Sequence, residues 1–115
     1  MRTISPSEIV QAQLDAYNAR DVELLLSFYA DDCAFMDLAG NVTLGDRAAV
    51  RALFGKTFAQ HPQNRAWSAN RFSVGNIVVD HEIIEREPGG ERIESAAIYV
   101  VKDGKIARLL MGRPD

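Results

Sequence analysis

From Ile9 to Tyr17 the apolar positions recur three or four residues apart, at Ile9, Ala12 and Ala16, and Gln13 and Tyr17 are set into the same stripe one turn apart. That spacing predicts an amphipathic helix whose inward face carries two polar side chains. Its start is marked by Ser5 as a cap, Pro6 at the first helical position and Glu8 closing a capping box, with Ile4 placed to staple onto Ile9. Asp21 caps a short second helix in VELLLSFYA. Asp46 caps a third in RAAVRALFGKTFAQ, with Val50, Leu53, Phe54, Thr57 and Phe58 inward and His61-Pro62 as its end. Between the second and third helices CAFMD reads as one short strand, Cys33 to Asp37.

Beyond residue 65 the period shortens to two. The runs AWSANRFSV, IVVDHEIIERE, RIESAAIYVV and IARLLMG are separated by Gly75-Asn76, Pro88-Gly89-Gly90 and Asp103-Gly104, each a hairpin signal. The order predicts an α+β fold, three N-terminal helices on one face of an antiparallel sheet. Loop length then decides which side chains share a face. A two-residue loop at Gly75-Asn76 and three-residue loops at PGG and KDG send Phe72, His81, Tyr99, Leu109 and Met111 to the core with the apolar residues between them. A two-residue loop at Gly89-Gly90 would instead bring Asp80 and Glu82 beside Tyr99. The first register is the expected one because it keeps carboxylates out of the core.

A chain of 115 residues, 47% hydrophobic and 25% charged, is long enough for one core, so residues 1–115 are expected to form a single domain. The net charge of −3 and the scattered Lys and Arg argue against a nucleic-acid partner. MRTISPSEIV lacks the apolar core of a signal peptide, and no apolar run reaches the roughly 18 residues that span a bilayer, so a cytoplasmic protein without membrane contact is expected. Cys33 is the one cysteine, and His61 and His81 lie far apart, so neither a disulfide nor a metal site is expected, and no cofactor. On the outer sheet face Val78, Ile84, Ile98 and Val100 stand among charges, a pattern that predicts a homodimer.

Three residues could carry chemistry. Asp37 ends its strand, either as the cap of a turn or as a carboxylate at the rim of an apolar pocket, where desolvation suits it to act as a base. His81 and Tyr99 would project from the sheet toward the helices, as hydrogen-bonded core residues or as donors to a substrate oxygen. Gln13, Tyr17, Phe54, Phe58, Phe72, Leu109 and Met111 would line the pocket for a small apolar molecule.

The strings IVQAQLDAYNARD, FYADDCAFMD, LGDRAAVRALF and IYVVKDGKIARLLMG, in this order, resemble the ketosteroid isomerase-like or SnoaL-like branch of the nuclear transport factor two-like superfamily. The resemblance covers almost the whole chain. It implies a cystatin-like cone, a curved sheet wrapped round helices with an apolar pocket at one end, and in many members a dimer through the outer sheet face. It places Asp37 where the steroid isomerases have their base. Their oxyanion donors, a Tyr on the first helix and a protonated Asp on a late strand, correspond here to Gln13 and Tyr99. The implied activity is cofactor-independent proton transfer beside a carbonyl, of isomerase or cyclase type; joined to the reading of the residues it makes Asp37 the base, with His81 and Tyr99 stabilising the enolate oxygen as the other catalytic groups. Two other readings stay open: a binding module for a small molecule, or an interaction domain whose pocket is filled by Phe54, Phe58, Phe72 and Met111.

Overall fold

The capping signals act as the sequence predicts. Ser5 Oγ accepts from the Glu8 amide and Glu8 Oε1 from the Ser5 amide, both at 3.2 Å, to open α1 (Pro6–Asn18). Asp21 accepts from Leu24 N at 3.1 Å to open α2 (Val22–Ser27), and Asp46 accepts from Ala49 N at 2.8 Å to open α3 (Arg47–Gln60). Such caps contribute about 1 kcal/mol each. Ile4, expected as a staple, is more than half exposed. The structure is a computed structural model in which residues 4–114 are described.

The strands are β1 (Tyr29–Met36), β2 (Val42–Leu44), β3 (Arg65–Val74), β4 (Ile77–Glu85), β5 (Arg92–Lys102) and β6 (Lys105–Gly112). They form one curved sheet in the order β2-β1-β6-β5-β4-β3. The last four make the expected antiparallel meander, while β1 joins β6 in parallel and β2 pairs with the far edge of β1. β1 begins four residues earlier than expected, because Tyr29 leaves α2 and enters the sheet opposite Ile106. The helices cover the concave face, α1 against β3, β4 and β6 and α3 against β1. Between them lies a core that includes Val10, Leu25, Tyr29, Val50, Val78 and Ile106. No helix among the described residues is long and apolar enough to cross a membrane.

The register of β4 differs from the expected one. Val78 pairs with Tyr99, Asp80 with Ala97, Glu82 with Ser95 and Ile84 with Ile93. Six residues, 86–91, separate the last paired residues Glu85 and Arg92, an even loop where PGG alone implied an odd one. One step of parity reverses the whole strand. Val78, Asp80, Glu82 and Ile84 therefore face the helices, and His81 faces outward. The Gly75-Asn76 turn has its expected length, with Val74 opposite Ile77, so Phe72 pairs with Val79 and turns outward with it. The third turn is two residues, Asp103-Gly104, both with positive φ (52° and 76°), where three were expected. Ala107 is the extra residue of a bulge beyond that turn, and it returns Leu109 and Met111 to the inner face opposite Tyr99 and Ala97.

Candidate functional site

A cavity of about 170 Å³ opens between α1, α3 and the concave face of the sheet. Leu14, Phe35, Phe54, Ile84, Leu109 and Met111 supply apolar walls. Gln13, Tyr17, Tyr29, Glu82, Arg86, Tyr99 and Arg113 supply the polar groups. Phe54 and Met111 line this space without closing it, so the filled pocket of an interaction domain is not what the side chains make.

Four of the polar residues form a buried chain. Tyr29, first residue of β1, donates from its hydroxyl to Gln13 Oε1 at 2.9 Å. Gln13, inward on α1, donates from Nε2 to the Tyr99 hydroxyl at 3.4 Å, and Tyr99 on β5 donates to Glu82 Oε2 on β4. The polar position at Gln13 in the α1 stripe is thus explained: it accepts from the Tyr29 phenol, which is buried, and ties it to Tyr99. Glu82 is 5% exposed. Burial is the main reason its carboxyl is pushed up to about 7; the nearby Asp80 adds to this, and Tyr99 and Arg71 oppose it by favouring the carboxylate. Burial, and then the charge of Glu82, push the Tyr99 phenol well above its ordinary range, and Tyr29 behaves alike. Both phenols therefore stay protonated at neutral pH.

Asp80, one pleat away, is held differently. Arg71 Nε and Nη2 grip its two oxygens at 2.6 and 2.8 Å, and Arg71 Nη1 donates to Gln11 Oε1 at 2.8 Å. Asp80 and Glu82 thus differ: Asp80 is neutralised by a guanidinium, and Glu82 has phenol and cavity.

Tyr17 accepts a hydrogen bond from Asn64 Nδ2 at 2.6 Å. Its hydroxyl oxygen is the acceptor there, so its own proton can be directed into the cavity. Burial raises its phenol above the ordinary range. Behind it Phe54 and Phe58 stack at 6.2 Å, each edge-on to Tyr17 at 5.9 and 5.2 Å. Phe58 buttresses the wall and does not line the cavity.

The expected catalytic trio is not brought together. Tyr99 is in the cavity. His81 sits on the outer face of β4, half exposed, with Nε2 2.7 Å from Glu94 Oε1. Its displacement follows from the parity of the 86–91 loop. Asp37 lies just after β1, outside the cavity, and closes a turn. Its Oδ1 accepts from the amides of Asn41 at 2.9 Å and Ala39 at 3.0 Å, and its Oδ2 from Asn41 Nδ2 at 3.0 Å. These bonds, those from Asn41 foremost, hold its carboxyl below the usual carboxylate range. That geometry is a turn cap, the opposite environment from a desolvated base. Phe72, expected in the pocket, is 56% exposed on the outer face. Gln13, Tyr17, Phe54, Leu109 and Met111 line the cavity. Glu82 takes the inward place that the alternative register gave it, beside Tyr99, and Tyr29 is a cavity group the sequence did not single out. The signal for Glu82 was Arg71 facing Asp80 across the Gly75-Asn76 hairpin, a charge pair that can neutralise one carboxylate on an inward face. Among the described residues no cluster of His, Cys, Asp and Glu is placed to hold a metal.

Known proteins share this fold. No curated protein matches the chain. An uncharacterized cystatin-fold protein from Novosphingobium aromaticivorans superposes with a TM-score of 0.88 at 28% identity, covering 96% of this chain and 100% of its own. A proposed polyketide cyclase from Sinorhizobium meliloti gives 0.77 at 22%, over 91% and 94%. A proposed ketosteroid isomerase from Kribbella flavida gives 0.79 at 16%, over 96% and 78%. The last two are likenesses of fold. The family model described as a SnoaL-like domain matches residues 10–109, from the second turn of α1 to the inward Leu109, so the chain belongs to the SnoaL-like family.

Proposed function

We propose that the protein is a cofactor-independent enzyme that transfers a proton alpha to the carbonyl of a small, largely apolar substrate, with Glu82 as the base. One observation carries this reading: a buried carboxyl, without a guanidinium gripping it, lines the same apolar cavity as a phenol that has a proton to give. In the reaction the substrate C–H bond breaks and its proton goes to Glu82. The electron pair moves onto the carbonyl oxygen as an enolate, which collapses when the proton returns at the same or another carbon. Tyr17 is the donor for that oxygen. Tyr99 becomes a second donor once Glu82 is protonated and its need for the Tyr99 hydrogen bond is relieved. A carboxyl that titrates near neutrality suits a base working at neutral pH. The fold likeness to a proposed cyclase and a proposed isomerase is compatible with this chemistry.

The test is proton–deuteron exchange alpha to the carbonyl in a panel of small apolar ketones, followed for the wild type and Glu82→Gln. Loss of the base is expected to lower exchange by about 10²–10⁴-fold while ligand binding persists. Equal rates in the two proteins would remove Glu82 from the chemistry.

A further inference from the structure

We propose that the substrate is an amphiphilic carboxylic acid, its apolar body filling the cavity and its carboxylate held by Arg86 and Arg113. The proposal rests on the reading of this cavity as the reaction site, and it names the substrate class. Both guanidiniums line the cavity. Neither makes an ion pair among the described residues, whereas Arg47, Arg51, Arg65, Arg71 and Arg92 each pair with a carboxylate of the protein; Arg20 and Arg108 also make none, but they do not line the cavity. Glu82 is the one carboxyl lining the cavity, and it forms no ion pair with either arginine.

Arg86 is also held in place. Its Nη1 donates to Asn64 Oδ1 at 3.0 Å. Asn64 is fully buried, donates to Tyr17 from Nδ2 at 2.6 Å, and has its backbone carbonyl gripped by Arg20 Nη2 at 2.5 Å. The guanidinium thus rests on a neutral acceptor that orients it without cancelling its charge. A planar guanidinium fixed as that of Arg86 is matches a carboxylate in shape and charge, and the exposed Arg113 adds a second positive charge. An uncharged apolar ligand would leave both cations without a counter-ion, and an amine would add a third.

The experiment is calorimetric titration with octanoate, octan-1-ol and octylamine, which share one apolar body. Octanoate is expected to bind at least about tenfold more tightly than octan-1-ol, and octylamine least tightly. Arg86→Met and Arg113→Met should each reduce that preference with octan-1-ol affinity retained, which also shows that the variant is folded. Glu82→Gln should keep the preference. Equal affinity for octanoate and octan-1-ol, no binding of either up to about 10 mM, or a preference unchanged in both arginine variants would each overturn the proposal. These failures are distinct from failure of the proton-transfer reading, which shows in exchange on neutral ketones and does not involve the arginines.

Discussion

Glu82 and Asp37 are both carboxylates at a strand, and their surroundings make them different reagents. Asp37 accepts three hydrogen bonds from the turn it closes, which favour its charged form. Glu82 has one phenol and a low-dielectric wall, which favour its neutral form. Folding therefore raises the Glu82 carboxyl from 4.5 to about 7. The fold binds a proton that the unfolded chain has released over this interval, so the associated stability is complete below pH 4.5 and is lost as pH rises through 7. The shift corresponds to roughly 3 kcal/mol. Glu82→Gln, which cannot ionise, should gain stability relative to wild type by about that amount between about pH 4 and pH 8. Denaturant unfolding of both proteins across this range checks it; a difference that does not vary with pH would contradict the burial of an ionisable Glu82.

At the level of elements, what was legible in the sequence was what local chemistry dictates. Ser5, Asp21 and Asp46 place the helix starts, and Gly75-Asn76 places one hairpin to the residue. The parity of β4 was not legible, because IVVDHEIIE is apolar on both faces and only the loop counts out its register. Glycines mark a turn in PGG without saying how many flanking residues leave the ladder. Tyr29 was hidden in the same way, inside an apolar run that suits a helix end as well as a strand. Pairing made the inward carboxylates tolerable. Removing the partner should then be costly: Arg71→Met would leave Asp80, which is 1% exposed, without its counter-ion and destabilise the fold by about 3–5 kcal/mol. Arg71→Met combined with Asp80→Leu should recover most of the loss, since an apolar pair of similar size needs no counter-ion. If the single and double variants melt together, Asp80 does not depend on Arg71.

For the whole molecule, the reversal of β4 reshapes the outer sheet face. Val78 and Ile84, expected there, are in the core. In their place Phe72, Val79, Ile98 and Leu110 stand opposite one another across four strands, and Val74, Ile77 and Val100 form a second row across three. Phe72 and Val74 are more than half exposed. A two-fold pairing of this face would cover those rows with themselves. Light scattering is expected to give twice the chain mass of 12.7 kDa, and Ile98→Lys to halve it; a wild-type monomer would leave the face unpaired. The opposite, concave face holds the cavity. Whether Glu82 is the base there is read from the pH dependence of alpha-proton exchange in a small apolar ketone. With Glu82 as the base, the rate should rise to a plateau through about pH 7 in the wild type, and this rise should be absent in Glu82→Gln. A wild-type profile that is flat through neutrality, or one that Glu82→Gln reproduces, would contradict it.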